Sequence, residues 1–450
     1  MNDADILIEP AGRVPIVKRA DLVVVGGGPA GIAAAVAGAR NGLSVVLLER
    51  YAYLGGLASG GMVLVLDDMC NGDEITVRGL CGEMIDRMER IGLCVTPPES
   101  ERRSDPALWR KWSRWGVFDF HSHIKPQPIC YASAFDPDGF KRVANAMVGE
   151  AKVDLRLHSW FSRAIVEDGR IVGVVCESKS GRQAIMGAIV VDASGDLDVA
   201  ASAGAPFSHG SYIVTTVFRL GGVDVEAAER FEYEEPAAFA AIDRQAKRRI
   251  GGSWAKWWLK TPLPGIVWCN CPHMTGLDGV NVEDLTRADF EGRERIAALA
   301  TFVRDKLPGF ERSFVVDVAP QIGIRQTRLL DGVYVMTKED VAQRRHFPDS
   351  VARGRDYYYP YRTMLPRGIP QLLVAGRHYS STSAAQKDSR EIPPCMAMGE
   401  AAGLAAALAL EAGVDVADID VGILQQRLRA VGADPGDRPA SNAMLAEAAE

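Results

Sequence analysis

The sequence predicts an α/β fold built around a parallel β-sheet. Asp21–Val25 is a short β-branched apolar run, which is typical of a buried parallel strand. A glycine-rich turn at 26–31 follows, then an alanine-rich helix at 32–41 that Gly42 ends, and a second apolar strand at 44–49. Together these pieces form a complete β-α-β unit.

Further elements follow along the chain with the same apolar patterning. The predicted helices are 79–91, 135–152 and 395–412, and the predicted strands are 153–160, 165–177 with a hairpin turn at Asp168 and Gly169, 188–192 and 372–375.

The turn after the first strand carries a dinucleotide-binding pattern. Gly26, Gly28 and Gly31 satisfy G-x-G-x-x-G: they permit the tight turn, the approach of a pyrophosphate and close helix–strand packing. The N-terminus of the following helix presents free N–H groups to phosphate. Glu49, at the end of the second strand, is placed to accept ribose hydroxyls. The pattern predicts a dinucleotide but does not distinguish FAD from NAD.

Composition excludes several classes of protein. The 450 residues contain 51 Lys and Arg and 58 Asp and Glu, a net charge of −7, which argues against a nucleic-acid-binding surface. The eight cysteines contain no CxxC pair and predict reduced thiols in a cytoplasmic protein. The first residues lack the pattern of a signal peptide, and no apolar run is long enough to predict a membrane span.

Four further segments carry a resemblance. They are GGLASGG at 55–61, DASGDLDVAASAG at 192–204, GIRQTR at 323–328, and LLVAGR at 372–377 with REIPPCMAMGEAAG at 390–403. The chain resembles the FAD-dependent oxidoreductase family of the glutathione-reductase-like FAD-binding fold, in which an "MGxAAG"-type helix lies near the C-terminus. The resemblance implies FAD as the cofactor.

The resemblance also implies a domain organisation. A Rossmann-like FAD-binding domain, discontinuous in sequence, is expected at 18–207 and 366–430, and an α+β substrate domain at 208–365 is inserted into it. Residues 70–130 are expected to form an insertion near the active site, and 431–450 a tail. The fingerprint and the resemblance together imply these cofactor-binding residues: Gly26, Gly28, Pro29, Ala30, Gly31, Glu49, Arg50, Gly56, Leu57, Ala58, Ser59, Phe161, Ala193, Ser194, Gly195, Gly376, Arg377, Cys395, Met396 and Ala397.

Four residues are candidates for the chemistry. His378, in the loop expected near the flavin, is a base, a flavin contact or a covalent attachment point, and it departs from the small residue usual in the family. Arg390 precedes the C-terminal helix, where it orients a neighbour or forms a structural ion pair. Arg325 is expected either to bind a substrate carbonyl or carboxylate or to bridge the two domains. Tyr361 ends a tyrosine run that donates to a substrate oxygen or packs a domain junction.

Three other features are candidate functional signals: one cysteine, a set of tryptophans and a Cys/His alternation. Cys395, at the predicted helix start, would have a lowered thiol pKa there. Seven of the eight tryptophans lie at 109–115 and 254–268. They are expected either to line an apolar pocket or to form a subunit interface. Cys269, Cys271 and His273 alternate, but their spacing is not that of a common zinc motif, and no metal is predicted.

The motifs that the sequence lacks restrict the reactions that it can be expected to catalyse. There is no second G-x-G-x-x-G in 205–370, no redox CxxC and no iron–sulfur motif. We therefore expect hydride transfer between a small or medium organic substrate and flavin N5, with oxygen, a quinone or a carrier protein as the electron partner. A flavin-carrying electron-transfer subunit and a flavin monooxygenase are the alternatives, and the substrate, direction of reaction and oligomeric state stay open.

Overall fold

A computed structural model of the chain describes residues 7, 9 and 11–438, so residues 439–450 of the predicted tail lie outside the described residues. In chain order the strands are β1 Ile16–Val25, β2 Val45–Leu48, β3 Val65–Leu66, β4 Cys70–Asn71, β5 Glu74–Ile75, β6 Cys94–Val95, β7 Ser133–Phe135, β8 Asp154–Arg156, β9 Trp160–Glu167, β10 Arg170–Ser178, β11 Gly181–Asp192, β12 Phe207–His209, β13 Val214–Thr215, β14 Phe218–Gly221, β15 Trp258–Lys260, β16 Val267–Cys269, β17 His273–Met274, β18 Phe314–Val318, β19 Gly323–Ile324, β20 Arg328–Leu330, β21 Ser350–Arg353, β22 Tyr358–Pro360 and β23 Leu372–Val374.

The helices alternate with these strands and give the chain the predicted mixed α/β fold. In chain order they are α1 Pro29–Arg40, α2 Gly79–Arg90, α3 Pro106–Trp112, α4 Pro137–Glu150, α5 Asp198–Ser202, α6 Val225–Glu234, α7 Pro236–Ile250, α8 Val282–Lys306, α9 Lys338–Ala342, α10 Ser383–Lys387, α11 Ile392–Ala412 and α12 Val421–Ala430. Short 3₁₀ turns lie at Gly56–Ala58, Glu99–Glu101, Ser113–Trp115, Tyr361–Met364 and Val416–Asp418.

One seven-stranded sheet organises the fold. Its strand order is β8-β2-β1-β11-β10-β9, and β23 pairs with the end of β11. β8, β2, β1, β11 and β23 run parallel, whereas β9 and β10 are antiparallel to their neighbours. Because parallel strands end at the same edge, the residues that follow β1, β2, β11 and β23 meet there. A strand from near the end of the chain thus joins a sheet begun at its start.

The strands between β11 and β23 form smaller sheets of their own. β15, β16, β14 and β18 make a four-stranded antiparallel sheet, and β17, β13 and β19 a three-stranded one. Trp257 and Trp258 pack in the core of the first, with helices α7 and α8. Trp112 and Trp268 join a second core that links the segment around α3 to this sheet. Most of the tryptophans are therefore core residues, whereas Trp160 and Trp254 are 53% and 47% exposed.

Several predicted boundaries shift for physical reasons. α1 begins at Pro29 rather than at residue 32, because proline suits a first helical position. The predicted helix 135–152 begins at Pro137, where the Asp136 carboxylate accepts a hydrogen bond from the Asp138 N–H. The predicted strand 153–160 breaks at His158, whose φ of 54° is left-handed. The hairpin turn at Asp168 and Gly169 lies between β9 and β10, as predicted.

The helix near the C-terminus begins earlier than predicted, at Ile392 instead of 395. Pro393 and Pro394 therefore lie within its first turn, where a missing N–H removes no intrahelical hydrogen bond. This α11 helix is the one helix among the described residues that is long and apolar enough to cross a membrane, and 78% of its most apolar window is buried inside the protein.

Helices α1 and α11 pack backbone against backbone. A Cβ added at Gly399 would lie 2.0 Å from the Ala30 carbonyl oxygen, and one at Gly403 would lie 2.4 Å from the Ala34 carbonyl oxygen. No side chain larger than hydrogen fits at either position. The two glycines therefore fix the distance between the two helices.

We expect Gly403→Ala to lower the free energy of unfolding by about 1–3 kcal/mol, because the added methyl must push α1 and α11 apart. Gly82→Ala in α2 is the matched control, since a Cβ there meets no atom within 4 Å and alanine favours a helix. Urea unfolding of both variants with saturating FAD measures the difference. Equal stabilities for the two variants would contradict the packing described.

A buried carboxyl group on α11 links this helix to α2. Glu400 is 3% exposed, and its Oε2 accepts a hydrogen bond of 3.0 Å from the Leu80 N–H in the first turn of α2. Burial raises the pKa of Glu400 from an ordinary 4.5 to about 7, although the bond from Leu80 acts in the opposite direction.

We expect the contribution of Glu400 to the free energy of unfolding to fall as pH rises from 4.5 to about 7, because the unfolded chain loses the Glu400 proton first. The shift corresponds to a fall on the order of 3 kcal/mol. Glu400→Gln should remove this part of the pH dependence, whereas Glu411→Gln, at an exposed site paired with Arg427, should retain it. Urea unfolding across this pH range tests the difference, and parallel curves for Glu400→Gln and wild type would refute it.

Candidate active site

A cleft runs across the edge where the parallel strands end. It encloses about 1080 Å³, including its open mouth. Its lining residues come from both ends of the chain: Val25, Gly26, Gly28, Pro29, Ala30, Leu48, Glu49, Arg50, Tyr51, Gly56, Leu57, Val63, Ser159, Phe161, Ala193, Ser194, Gly195, Asp198, Gln321, Gly376, Arg377, His378, Arg390, Glu391, Ile392 and Cys395.

The three fingerprint glycines differ in what requires them. A Cβ at Gly26 would lie 2.3 Å from the Ala193 carbonyl oxygen, and one at Gly31 would lie 1.8 Å from the Gly26 carbonyl oxygen. Packing within the protein therefore demands both. A Cβ at Gly28 would meet only the Gly56 Cα, at 4.0 Å, and Gly28 has an ordinary extended φ of −75°. Nothing within the described chain requires Gly28 to be glycine, and it lines the cleft.

Glu49 is held at the end of β2 by backbone donors. Its Oε2 accepts from the Gly27 N–H at 2.7 Å, and its Oε1 accepts from the Tyr51 N–H at 2.8 Å. Burial raises its pKa, while these two bonds lower it. Each carboxylate oxygen keeps a lone pair, so the carboxylate can still accept a hydroxyl donor from the cleft.

The loop after β11 is held by two buried aspartates. Asp192 accepts from Ser194 and from the N–H groups of Val199 and Ala200. Asp196 pairs with Arg377 at 2.8 Å and accepts from the Thr327 hydroxyl at 2.8 Å. Burial acts to raise the pKa of Asp196, but the positive charges on Arg377 and Arg50 lower it by a larger amount. The pKa of Asp196 therefore lies below its ordinary value.

His378 is buried against Asp192. Its Nε2 lies 3.1 Å from the Asp192 carbonyl oxygen and 3.3 Å from Oδ1 of the same residue. Burial acts to raise the pKa of Asp192, but bonds from His378 and Ser194 bring it below its ordinary value. Nδ1 of His378 has no partner in the described protein. The ring thus presents one free nitrogen in the lining of the cleft.

Four buried polar atoms without partners line this cleft. Besides His378 Nδ1, they are Gln321 Oε1, Arg377 Nε and Arg390 Nε. Buried polar groups are hydrogen-bonded in the large majority of native sites, so this group indicates a ligand that supplies the missing partners.

The structure brings most of the predicted residues together. Those that line the cleft are Gly26, Gly28, Pro29, Ala30, Glu49, Arg50, Gly56, Leu57, Phe161, Ala193, Ser194, Gly195, Gly376, Arg377, Cys395, His378 and Arg390. Gly31, Ala58, Ser59, Met396, Ala397 and Arg325 lie behind or beside them. Ser59, for example, donates to the Leu54 carbonyl and supports the loop from within.

Two expectations about the site need correction. Tyr361 does not line the cleft: it is buried in the core, and its hydroxyl donates to the Val416 carbonyl oxygen at 2.7 Å. The tyrosine run packs the interior, as its alternative interpretation held. Cys395 lines the cleft, but burial and the charge of Glu391 raise its pKa to about 12 instead of lowering it. Desolvation outweighs the helix N-terminus at this position.

Among the residues at or beside the cleft that sequence reasoning missed, three carry polar groups that matter to the site. Asp196 lies within the segment quoted for the resemblance, but its pairing with Arg377 needs the fold. Gln321, whose N–H donates to the Gly60 carbonyl, lies just before GIRQTR. Asp67 follows the glycine-rich loop, and burial together with Glu391 and Asp68 raises its pKa well above its ordinary value. Among the described residues, no group of three or more potential ligands is placed to hold a metal ion.

Comparison with a known family adds to this geometry. The family model described as FAD dependent oxidoreductase matches residues 21–358 and 353–428. The chain belongs to this family of FAD-dependent oxidoreductases. It is therefore an enzyme, and FAD is its cofactor.

Individual relatives match this oxidoreductase less extensively. Digeranylgeranylglycerophospholipid reductase 1 of Methanopyrus kandleri is 30% identical over 179 residues, 39% of each chain. The protein of that name in Methanococcoides burtonii is 26% identical over 218 residues, 47% of each chain. The match thus spans less than half of these relatives. A geranylgeranyl bacteriochlorophyll reductase-like structure from Thermoplasma acidophilum shares the fold, with a TM-score of 0.50, 15% identity and 96% coverage of both chains.

The cleft of this oxidoreductase fits FAD. The open space at Gly28 suits a pyrophosphate at the N-terminus of α1, and the lone pairs of Glu49 suit ribose hydroxyls. The unpartnered nitrogens of Arg377 and His378 and the oxygen of Gln321 offer hydrogen bonds to a polar ring system.

We expect Gly28→Val to fold with nearly wild-type stability without FAD but to bind FAD at least about tenfold more weakly, because its side chain enters the cleft and not the core. Gly31→Val should lose stability even without FAD, since its Cβ meets the Gly26 carbonyl. Thermal unfolding of the apoproteins and FAD titration by fluorescence separate the two effects. Tight FAD binding by Gly28→Val would show that the space at Gly28 has another purpose.

Proposed function

We propose that this enzyme transfers a hydride between a small or medium organic substrate and N5 of FAD, with oxygen, a quinone or a carrier protein as its electron partner. The proposal rests on the unpartnered buried polar atoms that line the cleft, together with the open space that Gly28 leaves there. When bound, the flavin supplies the two-electron chemistry. The chain's own residues then have to bind, orient and exchange protons.

The proposal includes the glutathione-reductase-like form of the FAD-binding fold and its discontinuous domain. The order of strand ends supports it, because β2 with Glu49 and β23 with Gly376 lie on opposite sides of β1 and β11. Glu49 would hold the ribose, the start of α1 the pyrophosphate, and His378 with the first turn of α11 the flavin. The substrate domain at 208–365 would then close the cleft through Gln321.

His378 is the residue to which we assign proton handling. Asp192, whose pKa is lowered, holds Nε2, so Nδ1 is left as the atom that can take or give a proton in the cleft. Asp196 serves a different purpose, because it joins Arg377 to Thr327 across the cleft. We propose it as a positioning residue.

A second candidate function is the reduction of a carbon–carbon double bond in a long apolar substrate. A groove shares Tyr51, Phe161 and Gln321 with the cleft and encloses about 2050 Å³, including its open mouth. Val282 and Phe290 on its wall are 67% and 69% exposed. The named archaeal relatives are reductases of a lipid, which supports this direction for part of the chain's length.

We expect the purified protein to be yellow, with absorbance bands at about 375 and about 450 nm from bound FAD. Anaerobic addition of candidate organic metabolites should bleach the band at the longer wavelength, because the substrate reduces the flavin directly. Timing the reoxidation by air then distinguishes an oxidase from a dehydrogenase. Bleaching by NADPH alone would favour the monooxygenase, and a protein that takes up no FAD would end the proposal.

The variant His378→Asn should retain FAD but slow the bleaching by about 10²-fold or more, because the cleft loses its proton acceptor. Tyr361→Phe is the control: it removes a hydroxyl that bonds to Val416 outside the cleft, so the bleaching rate should stay unchanged. Equal slowing in both variants would refute the role of His378.

A further inference from the structure

Arg325 is a largely buried guanidinium that the chain leaves without a counterion. Its Nη1 has no hydrogen-bond partner, and its Nη2 reaches the Asn270 Oδ1 only at 3.5 Å. No carboxylate within the described range lies within ion-pair distance of it. Burial and neighbouring Arg390 lower its pKa to about 10, so it is still a cation at neutral pH. A buried charge in this state is costly unless something pairs with it.

The backbone of Arg325 is anchored beside the cleft. The fully buried Gln386 side chain donates from Nε2 to the carbonyl oxygens of Arg325 at 2.8 Å and Arg377 at 3.1 Å. Arg377 lines the cleft, as does Arg390. The unpaired guanidinium therefore belongs to a fixed wall next to the proposed flavin site and not to a loop elsewhere.

His273 and Trp254 complete this wall. The Trp254 ring lies edge-on to His273 at 5.0 Å, and the Arg325 guanidinium lies over the same ring at 5.7 Å. Burial and the charge of Arg325 lower the pKa of His273 to about 4, so its ring is neutral at pH 7. Its hydrogen bond goes to the Asn270 backbone, and Nε2 has no partner. A neutral ring that donates from Nδ1 offers Nε2 as an acceptor.

The charges near Arg325 favour an anion. Arg390 pairs with its neighbour Glu391 at 3.4 Å, and the charge of Glu391 partly offsets that of Arg390 at Arg325. Lys387 adds a cation over the Tyr212 ring at 4.8 Å. Asp67 is the other carboxyl group near Arg390, and burial with Glu391 raises its pKa, which disfavours its charged form. The wall thus offers unpaired donors with positive charge next to one acceptor.

We propose that Arg325 and His273 bind a carboxylate substrate that carries a hydroxyl or amino group beside its carboxyl carbon. The carboxylate pairs with the Arg325 guanidinium, and the hydroxyl or amine donates to His273 Nε2. A phosphate would satisfy the arginine but offers mainly acceptors, which would leave His273 without a donor. Half-exposed Trp254 provides an apolar surface for the rest of the molecule. This assignment rests on the proposed function, because it makes the ligand the substrate of the flavin reaction.

Four probes separate the features of such a ligand. Mandelate carries both the carboxylate and the hydroxyl, phenylacetate lacks the hydroxyl, mandelamide lacks the charge, and phenyl phosphate replaces the carboxylate. Binding to the FAD-loaded enzyme is measured by the change in the flavin absorbance spectrum and by the shift in thermal unfolding. We expect mandelate to bind at least about tenfold more tightly than each of the other three.

Substitutions at the two proposed residues test which of them causes these differences in probe affinity. Arg325→Met should weaken the binding of mandelate by about tenfold or more and abolish the preference for mandelate over mandelamide. Arg325→Lys should restore part of this affinity and preference. His273→Phe should bring mandelate to the affinity of phenylacetate. Arg427→Met removes a partly exposed arginine that pairs with Glu411 outside the cleft, and this variant should bind mandelate as wild type does.

Each outcome bears on one proposal separately. FAD content and the flavin spectrum report on the proposed function before any probe is added. If FAD binds but the carboxylates bind no better than the amide, or if Arg325→Met binds mandelate as wild type does, the carboxylate site is wrong and the flavin function stands. Loss of FAD by Arg325→Met and Arg325→Lys alike would assign the guanidinium to the cofactor and also overturn the inference.

Discussion

The contact between α1 and α11 is the constraint on which the rest of the structure depends. Gly399 and Gly403 bring the backbone of the later helix onto carbonyl oxygens of the earlier one, and Ala30 both receives that contact and lines the cleft. The residues of the glycine fingerprint and the first turn of α11 are therefore held at a fixed separation. Because β23 also pairs with β11, the last part of the chain is tied to the first by a sheet and by a helix pair.

The loop after β11 provides the second link across the same edge. Asp196 contacts Arg377 and Thr327, which lie far from it in sequence, and all three meet beside the strand ends. Such buried ion pairs add little net stability, but removal of one partner leaves an uncompensated charge. Asp196 is better understood as a specificity device: it fixes where the loop from β23 lies relative to the region that carries GIRQTR.

Sequence reasoning brought the fingerprint glycines and Glu49 to one edge of the sheet because local rules govern their positions. Gly26 and Gly31 are demanded by contacts within one β-α-β unit, and Glu49 follows from its position at a strand end. The same rules failed where distant groups decide. The helix position of Cys395 predicts a lowered pKa, but desolvation by the surrounding protein raises it. Tyr361 was judged by its neighbours in sequence, whereas its hydroxyl is satisfied by the Val416 carbonyl in the core. Likewise, His158 breaks a strand that its apolar neighbours predict.

The buried arginines differ in whether a carboxylate of the chain pairs with them, and this difference sets the region of the cleft apart. Arg114 is 2% exposed, and its guanidinium bonds twice to Glu232 and once to the Trp258 carbonyl oxygen. Arg353 is buried as deeply and pairs with Glu74 and Asp434. The chain therefore provides carboxylates for the two arginines that it buries fully among the described residues. At Arg325 it provides none, although Gln386 fixes the backbone there with two hydrogen bonds. Because the two fully buried arginines are neutralised from within the chain, the unpaired charge of Arg325 beside the cofactor cleft is the one that we assign to a molecule from outside the chain.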